Sequence, residues 1–523
     1  MKSPANPTLL PMNRTWECWR LAGVFPISPQ QLAGGTPALP GSWSRCACEC
    51  TGQLPVSRLH TLKLLWIQLA LLASMITSEA ASRLTLPAYT RTKLPNGLIL
   101  LLMEQREVPI ISFNVLTRAG AIEDPAGKEG LASVTAELLR RGTKSRTAAQ
   151  IANELDFVGG QLEFDAGLDF ARAHGEFLAK DIDTGLELLA DCLQSPAFPE
   201  AEIEKLLKQR IDGLKQEKDE PQAVISRYFR SFLFGTHVYG RSPVGDERSM
   251  EAIKRTDIES FHRDHYAPDT VTIAVVGDFV AADMQKKLAA RFGGWTSARK
   301  HPHKQVPVAP AASGRKLLLV NKPDATQTFF MIGNTGVDRT NPDRVGIEII
   351  NTLFGGRFTS MLNDALRVNS GLTYGARSSF EQHKAPGPFA ISTYTRNATT
   401  VQAIDMALEV LEKLHTEGIS AEQLQSAKAY IKGQFPNRIE TSDQLAALLT
   451  ELDFFILDRR EINELFNRID LFTLEDAKRI IKQYFPRNDL RFVLVGKADE
   501  IKDSIKKYAP EIETREITQI GYR

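Results

Sequence analysis

Apolar residues along this chain fall into two periods. Uninterrupted runs, LILLLM at 98–103, IISFNVL at 110–116, KLLLV at 316–320 and TFFMIG at 328–333, predict buried strands. Elsewhere, EAEIEKLLKQRIDGLKQ at 200–216 and AIDMALEVLEKLHTEG at 403–418 space apolar residues at i, i+3 and i+4, which predicts amphipathic helices. Strands come in clusters and helices in pairs, so the pattern predicts α+β layers and not a doubly wound parallel sheet.

The pattern then repeats. PEAEIEKLLKQRIDGLKQ from Pro199 matches ISAEQLQSAKAYIKGQFP from Ile419, aligning Glu202 with Glu422 and Gly213 with Gly433. VTIAVVGDF at 271–279 matches LRFVLVGKA at 490–498, aligning Gly277 with Gly496. Offsets of 220 and 219 residues across a helix and a later strand predict two halves with one plan. The Pro- and Ala-rich basic stretch SARKHPHKQVPVAPAAS at 297–313 is assigned as the linker, with domains at 88–296 and 314–515.

Upstream, residues 58–82 run from RLHTLK through an apolar core at 64–76 to TSEAAS, the order of a secretory signal peptide. The core is short against the roughly 20 residues of a membrane span. Export to a periplasm or the exterior, with cleavage near Ala80, is the expectation; retention as a membrane anchor is the alternative. Residues 1–57 lack a periodic element and are read as a disordered or mis-assigned extension.

Composition narrows the function classes. With 43% hydrophobic and 24% charged residues the 523-residue chain is ordinary globular material, and a net charge of +1 argues against a nucleic-acid surface. No Walker-type loop is present. Cys18, Cys46, Cys48 and Cys50 precede residue 60 and only Cys192 lies in the globular part, so that part is expected to hold no internal disulfide.

The chemistry is concentrated in GLASVTAELLRRGT at 130–143 and FGGRFTSMLNDALRVNSGLTYGARSSF at 354–380. The first resembles the zinc helix of the pitrilysin family (the insulinase and mitochondrial processing peptidase-like metallopeptidases), whose active members carry His-x-x-Glu-His between Gly-Leu-Ala and Gly-Thr. Here those positions are Ser133, Val134, Thr135, Ala136 and Glu137. Two imidazoles at i and i+4 reach one metal from one helix face, with a carboxylate between them as general base. Ser133 and Glu137 keep the spacing without imidazoles, and Ala136 has no proton acceptor. The family's third ligand, a Glu on a long helix, falls at Gly213 or Leu214 in LLKQRIDGLKQEKDEP at 206–221. Ser133, Glu137, Arg140 and Arg141 are expected instead to form the polar face of an amphipathic helix, Glu137 pairing with Arg141.

The resemblance extends from about Tyr89 to Lys507. GTHVYGRSPVG at 235–245 is similar to the family's Gly-His-Pro-Tyr-Gly segment, and FHRDHYAPDTVTIAVVGDF at 261–279 to its helix leading into an exposed-edge strand. In the second half, Arg367 and Tyr374 match the pair that reaches the substrate carbonyl from the side opposite the zinc. Taken as residues alone, they read as a helix-end Arg and a half-buried strand Tyr. The resemblance implies two α+β, metallohydrolase-like domains in tandem, forming half of a clam-shaped chamber.

It also implies a non-catalytic, peptide-binding subunit that holds no metal and supplies Arg367 and Tyr374 to a partner chain with an intact His-x-x-Glu-His motif and the zinc. Two alternatives stand beside it: an autonomous zinc endopeptidase with displaced ligands, and a purely structural protein. His237, His262 and His265 are the candidate substitute ligands, with a structural role as the competing reading. Ser133 lacks the His neighbour and turn of a serine nucleophile.

Overall fold

A computed structural model of the chain describes residues 84–297, 305–309 and 312–523. The extension at 1–57, the segment at 58–82, the four early cysteines and most of the stretch at 297–313 lie outside the described residues. None of the described helices is long and apolar enough to cross a membrane.

Two six-stranded sheets organise the described chain. The first contains β1 (Thr90–Lys93), β2 (Ile99–Glu104), β3 (Ile110–Thr117), β4 (Gln161–Ala166), β5 (Ala171–Leu178) and β6 (Val271–Gly277), in the order β1-β2-β6-β3-β5-β4. The second contains β7 (Lys316–Asn321), β8 (Gln327–Thr335), β9 (Ala376–Gln382), β10 (Pro386–Arg396), β11 (Arg491–Gly496) and β12 (Glu511–Glu516), in the order β12-β7-β11-β8-β10-β9. β2 runs parallel to β6, as β7 does to β11. The remaining pairs through β3, β5 and β4 and through β8, β10 and β9 are antiparallel. The sequence repeat is therefore a repeat of topology, and the aligned Gly277 and Gly496 close equivalent central strands. Only the outer strands differ, β1 being antiparallel to β2 and β12 parallel to β7.

Strand residues alternate between two apolar layers. On one face of the first sheet Leu100, Leu102, Phe113, Val115, Ile273 and Val275 pack beneath helices of their own half. On the other, Leu101, Met103, Ala274 and Val276 pack with Leu445, Leu449 and Leu452, which belong to the Ser442–Phe454 helix of the second half. The second sheet mirrors this: Leu318, Val320, Met331, Val493 and Val495 pack with Val224, Ile225, Tyr228 and Phe229 of the Pro221–Phe234 helix from the first half. Each half thus covers the other's sheet. Both covering helices have firm starts, one with Pro at its first turn and one with a Thr441–Gln444 capping box. Polar contacts fix the register: Thr450 Oγ1 donates to Asn114 Oδ1 at 2.9 Å, and Asp453 accepts from Arg91 and from Thr272, each at 2.8 Å.

One expectation is overturned. Val271–Gly277 is no exposed-edge strand: it lies between β2 and β3 with every residue buried. A continuous Val/Ile run marks burial on both faces, whereas β4, at the sheet margin, alternates buried Leu162 and Phe164 with exposed Gln161, Glu163 and Asp165.

The reciprocal cover predicts that the halves unfold together. Leu449→Ala, which empties a buried position in the second half, is expected to cost about 2–5 kcal/mol and to shift one urea transition seen alike by near- and far-ultraviolet circular dichroism. A separate early transition would mean that the cover is not shared.

Candidate functional site

The Leu131–Leu138 helix begins at a carboxylate. Asp124 accepts from the backbone N–H of Gly130 at 2.7 Å and of Ala132 at 2.8 Å, satisfying donors that a helix start leaves open. Gly130 has φ of 94°, and a Cβ there would collide with Met250 and the backbone of Gly245, so glycine is sterically required at the entry. The helix is shorter and more deeply buried than an amphipathic surface helix. It ends before Arg140 and Arg141, and all its residues except Glu137 are buried, Ser133 and Ala136 included. The expected polar face is consequently a partly buried ion-pair cluster, with Arg140 exposed outside it.

A cation that the sequence reading missed organises that cluster. From the Glu200–Glu217 helix, Arg210 Nη2 lies 2.6 Å from Glu137 Oε2 and 3.4 Å from Ser133 Oγ. Arg141 pairs with the other carboxylate oxygen at 2.5 Å, as expected, and also reaches Glu202 at 3.4 Å. Burial pushes the Glu137 carboxyl upward, but the charge of Arg210 and the hydrogen bonds from Arg141 and Arg210 outweigh it and hold it below the usual range. Gly213 offers no donor, and a Cβ there would meet open space; Leu214 is buried in the core. A hydroxyl, a methyl group and a carboxylate already held by two guanidinium groups do not fit a zinc ion. The sequence signal was available in principle, because Arg210 stands one helical turn before the Gly213–Leu214 position.

Nor do the histidines converge. His262 Nε2–H donates to the Leu193 carbonyl at 2.9 Å and its ring stacks on Tyr266. His265 lies against Phe261, and His237 joins the Tyr239 N–H to the Pro307 carbonyl. Among the described residues no group of three or more His, Cys, Asp or Glu side chains is placed to hold a metal ion.

Arg367 and Tyr374, by contrast, do come together. Arg367 sits on a π-helical turn, Asp364–Asn369, and Tyr374 on the following loop, both lining a cavity of about 660 Å³. Gly371, at φ of 64°, reverses the chain after that turn and donates to the Arg367 carbonyl. Thr395 Oγ1 then donates to the Leu372 carbonyl and Thr393 Oγ1 to that of Gly375, both at 2.8 Å. The loop backbone is clamped while the Tyr374 ring is 77% exposed, not half-buried in a strand. The Arg367 guanidinium lies over the Phe358 ring, 4.7 Å from its centre. Arg and phenol donors of this kind can hold a peptide carbonyl and a developing oxyanion; they supply no activated water. The altered zinc helix and the Arg/Tyr cavity belong to different halves.

Comparison with known proteins follows the same division. Residues 101–246 match the model of the insulinase family, peptidase family M16, and residues 252–431 match the peptidase M16 inactive domain. The chain belongs to the M16 family. Among its M16 relatives is an uncharacterized zinc protease of Mycobacterium leprae, 24% identical over 75% of this chain and 88% of that protein. Another, from Bacillus subtilis, is 21% identical over 75% and 94%. The crystal structure of an M16 inactive domain from Pseudomonas fluorescens superposes with a TM-score of 0.74 at 23% identity, covering 78% of this chain and 98% of that one. A protease from Helicobacter pylori gives 0.73 at 20%, covering 78% and 100%. At such identities the structural likeness is one of fold.

The imidazole inside the M16 frame generates a pH prediction. Burial lowers His262 from its ordinary value to about 4, so between about pH 6.5 and 4 the unfolded chain takes up a proton that the folded chain refuses. Stability should be full above pH 6.5 and fall as pH drops toward 4, by at most about 1.4 kcal/mol per pH unit from this group. Thermal denaturation of the native protein and His262→Gln at pH 7 and 5 checks this: the native protein should lose more.

Proposed function

We propose that this chain is the non-catalytic, substrate-binding subunit of a two-chain M16 zinc metallopeptidase that degrades peptides. The zinc and the His-x-x-Glu-His motif belong to its partner, and this chain holds none. The observation that carries the reading is Arg210, whose guanidinium binds both Ser133 and Glu137, while the Arg367–Tyr374 cavity remains formed and open. A chain that keeps this cavity while Arg210 occupies its own Ser133 and Glu137 is suited to complete a chamber for another chain's metal. Arg367 and Tyr374 would hydrogen-bond the scissile peptide, and extended peptide would add to the margin of a sheet at β4 or β9. Main-chain bonding of that kind makes weak demands on sequence. The signal-like segment at 58–82 supports export, with the partner meeting this chain in a periplasm or outside the cell.

Two measurements test the reading. The purified chain, exposed to zinc and freed of excess metal, should retain far less than one zinc per chain by elemental analysis; one tightly held zinc would favour the autonomous enzyme. With the partner recovered from the native host, Arg367→Ala and Tyr374→Phe should each lower kcat by about 10²–10³ while leaving assembly intact. Unchanged turnover would remove the role assigned to both residues and favour a purely structural protein.

A further inference from the structure

The cavity that Arg367 and Tyr374 share has a second cation, and its lining is one-sided in charge. Arg396, the last residue of β10, pairs in register with Gln327 at the start of β8, and both line the cavity beside Tyr394. The Tyr394 ring is stacked on Phe329 at 4.9 Å, a fixed aromatic floor. Two arginines thus line the space, and no Asp or Glu does. Among the described residues no ion pair joins Arg367 or Arg396 to a carboxylate. Asp324 and Glu500 are engaged with Lys322 and Lys497, and Asp364, on the same turn as Arg367, does not line the cavity.

We propose that this cavity is a subsite for a peptide carboxylate, held by Arg396 with Arg367 beside it and flanked by the rings of Tyr374 and Tyr394. The proposal rests on the reading of this chain as a peptide-binding subunit and names the substrate class its cavity selects. Guanidinium matches a carboxylate in planar, charge-assisted hydrogen bonds, and repels the side chain of Lys or Arg. About 660 Å³ is within the usual range of ligand sites and exceeds one acidic side chain, leaving room for apolar neighbours against the two Tyr rings. The carboxylate is supplied either by an internal Asp or Glu or by the peptide's own C-terminus.

Binding to the purified full chain distinguishes these sources. Three fluorescein-labelled octapeptides of one Ala/Leu sequence are compared by fluorescence anisotropy: one with a central Glu and an amidated C-terminus, one with Gln and the amide, and one with Gln and a free carboxylate. At least one acidic peptide should bind about tenfold tighter than the neutral one, and the advantage should shrink with salt. A gain for the Glu amide assigns the internal side chain; a gain for the free acid alone assigns the C-terminus. Arg396→Gln should abolish the advantage with an unchanged circular dichroism spectrum, and Arg396→Glu should transfer the preference to a central Lys. Equal binding of all three peptides, or a preference that survives Arg396→Gln, overturns the proposal. Since the assay contains no partner, that result leaves the two-chain reading standing. Unchanged turnover in Arg367→Ala would sink that reading without touching a measured carboxylate preference.

Discussion

The central strands of each sheet are buried on both faces, and the rest of the fold answers to that. A strand such as Val271–Gly277, buried along its whole length, cannot face water on either side without forfeiting the hydrophobic free energy of several large side chains. Its own half supplies one helical layer, and the second comes from the opposite half. The Pro221–Phe234 and Ser442–Phe454 helices are therefore as much a part of each other's domain as of their own. This ties the geometry of the altered zinc helix in the first half and that of the Arg/Tyr cavity in the second to one cooperative body.

Within that body the two candidate regions are held in different ways. The Leu131–Leu138 helix is buried apart from Glu137, and the charged groups at it are engaged internally, Asp124 by the helix start and Glu137 by Arg141 and Arg210, while the buried Thr135 hydroxyl has no partner. The segment around Arg367 is anchored through its backbone by the hydroxyls of Thr393 and Thr395, and its side chains are left over. Phe358 is 62% and Val368 60% exposed beside Tyr374. Satisfied polar groups make structure; unsatisfied donors and bare rings above a cavity make recognition.

The sequence made the strands legible because burial on both faces leaves uninterrupted apolar runs, and made the repeat legible because equivalent strands carry equivalent glycines. It made the start of the Leu131–Leu138 helix legible because Gly130 is sterically enforced by Met250 and Gly245. Arg210 was legible by its place one turn before Gly213–Leu214 but not by its partner: it meets Glu137 across 73 residues, and a helix with several cations does not declare which one turns inward. Strand position was hidden too. The resemblance places the run at 271–277 at a sheet margin, whereas its lack of alternation argues for the centre, where it lies. The exchange of covering helices could not be read at all, since periodicity tells that a face is apolar and not whose face it meets.

A metal ion is supplied by the medium and can be withdrawn by it. The guanidinium of Arg210 is tethered to its own backbone. The junction between the Leu131–Leu138 and Glu200–Glu217 helices is therefore closed by groups that travel with the chain itself, across 73 residues of sequence.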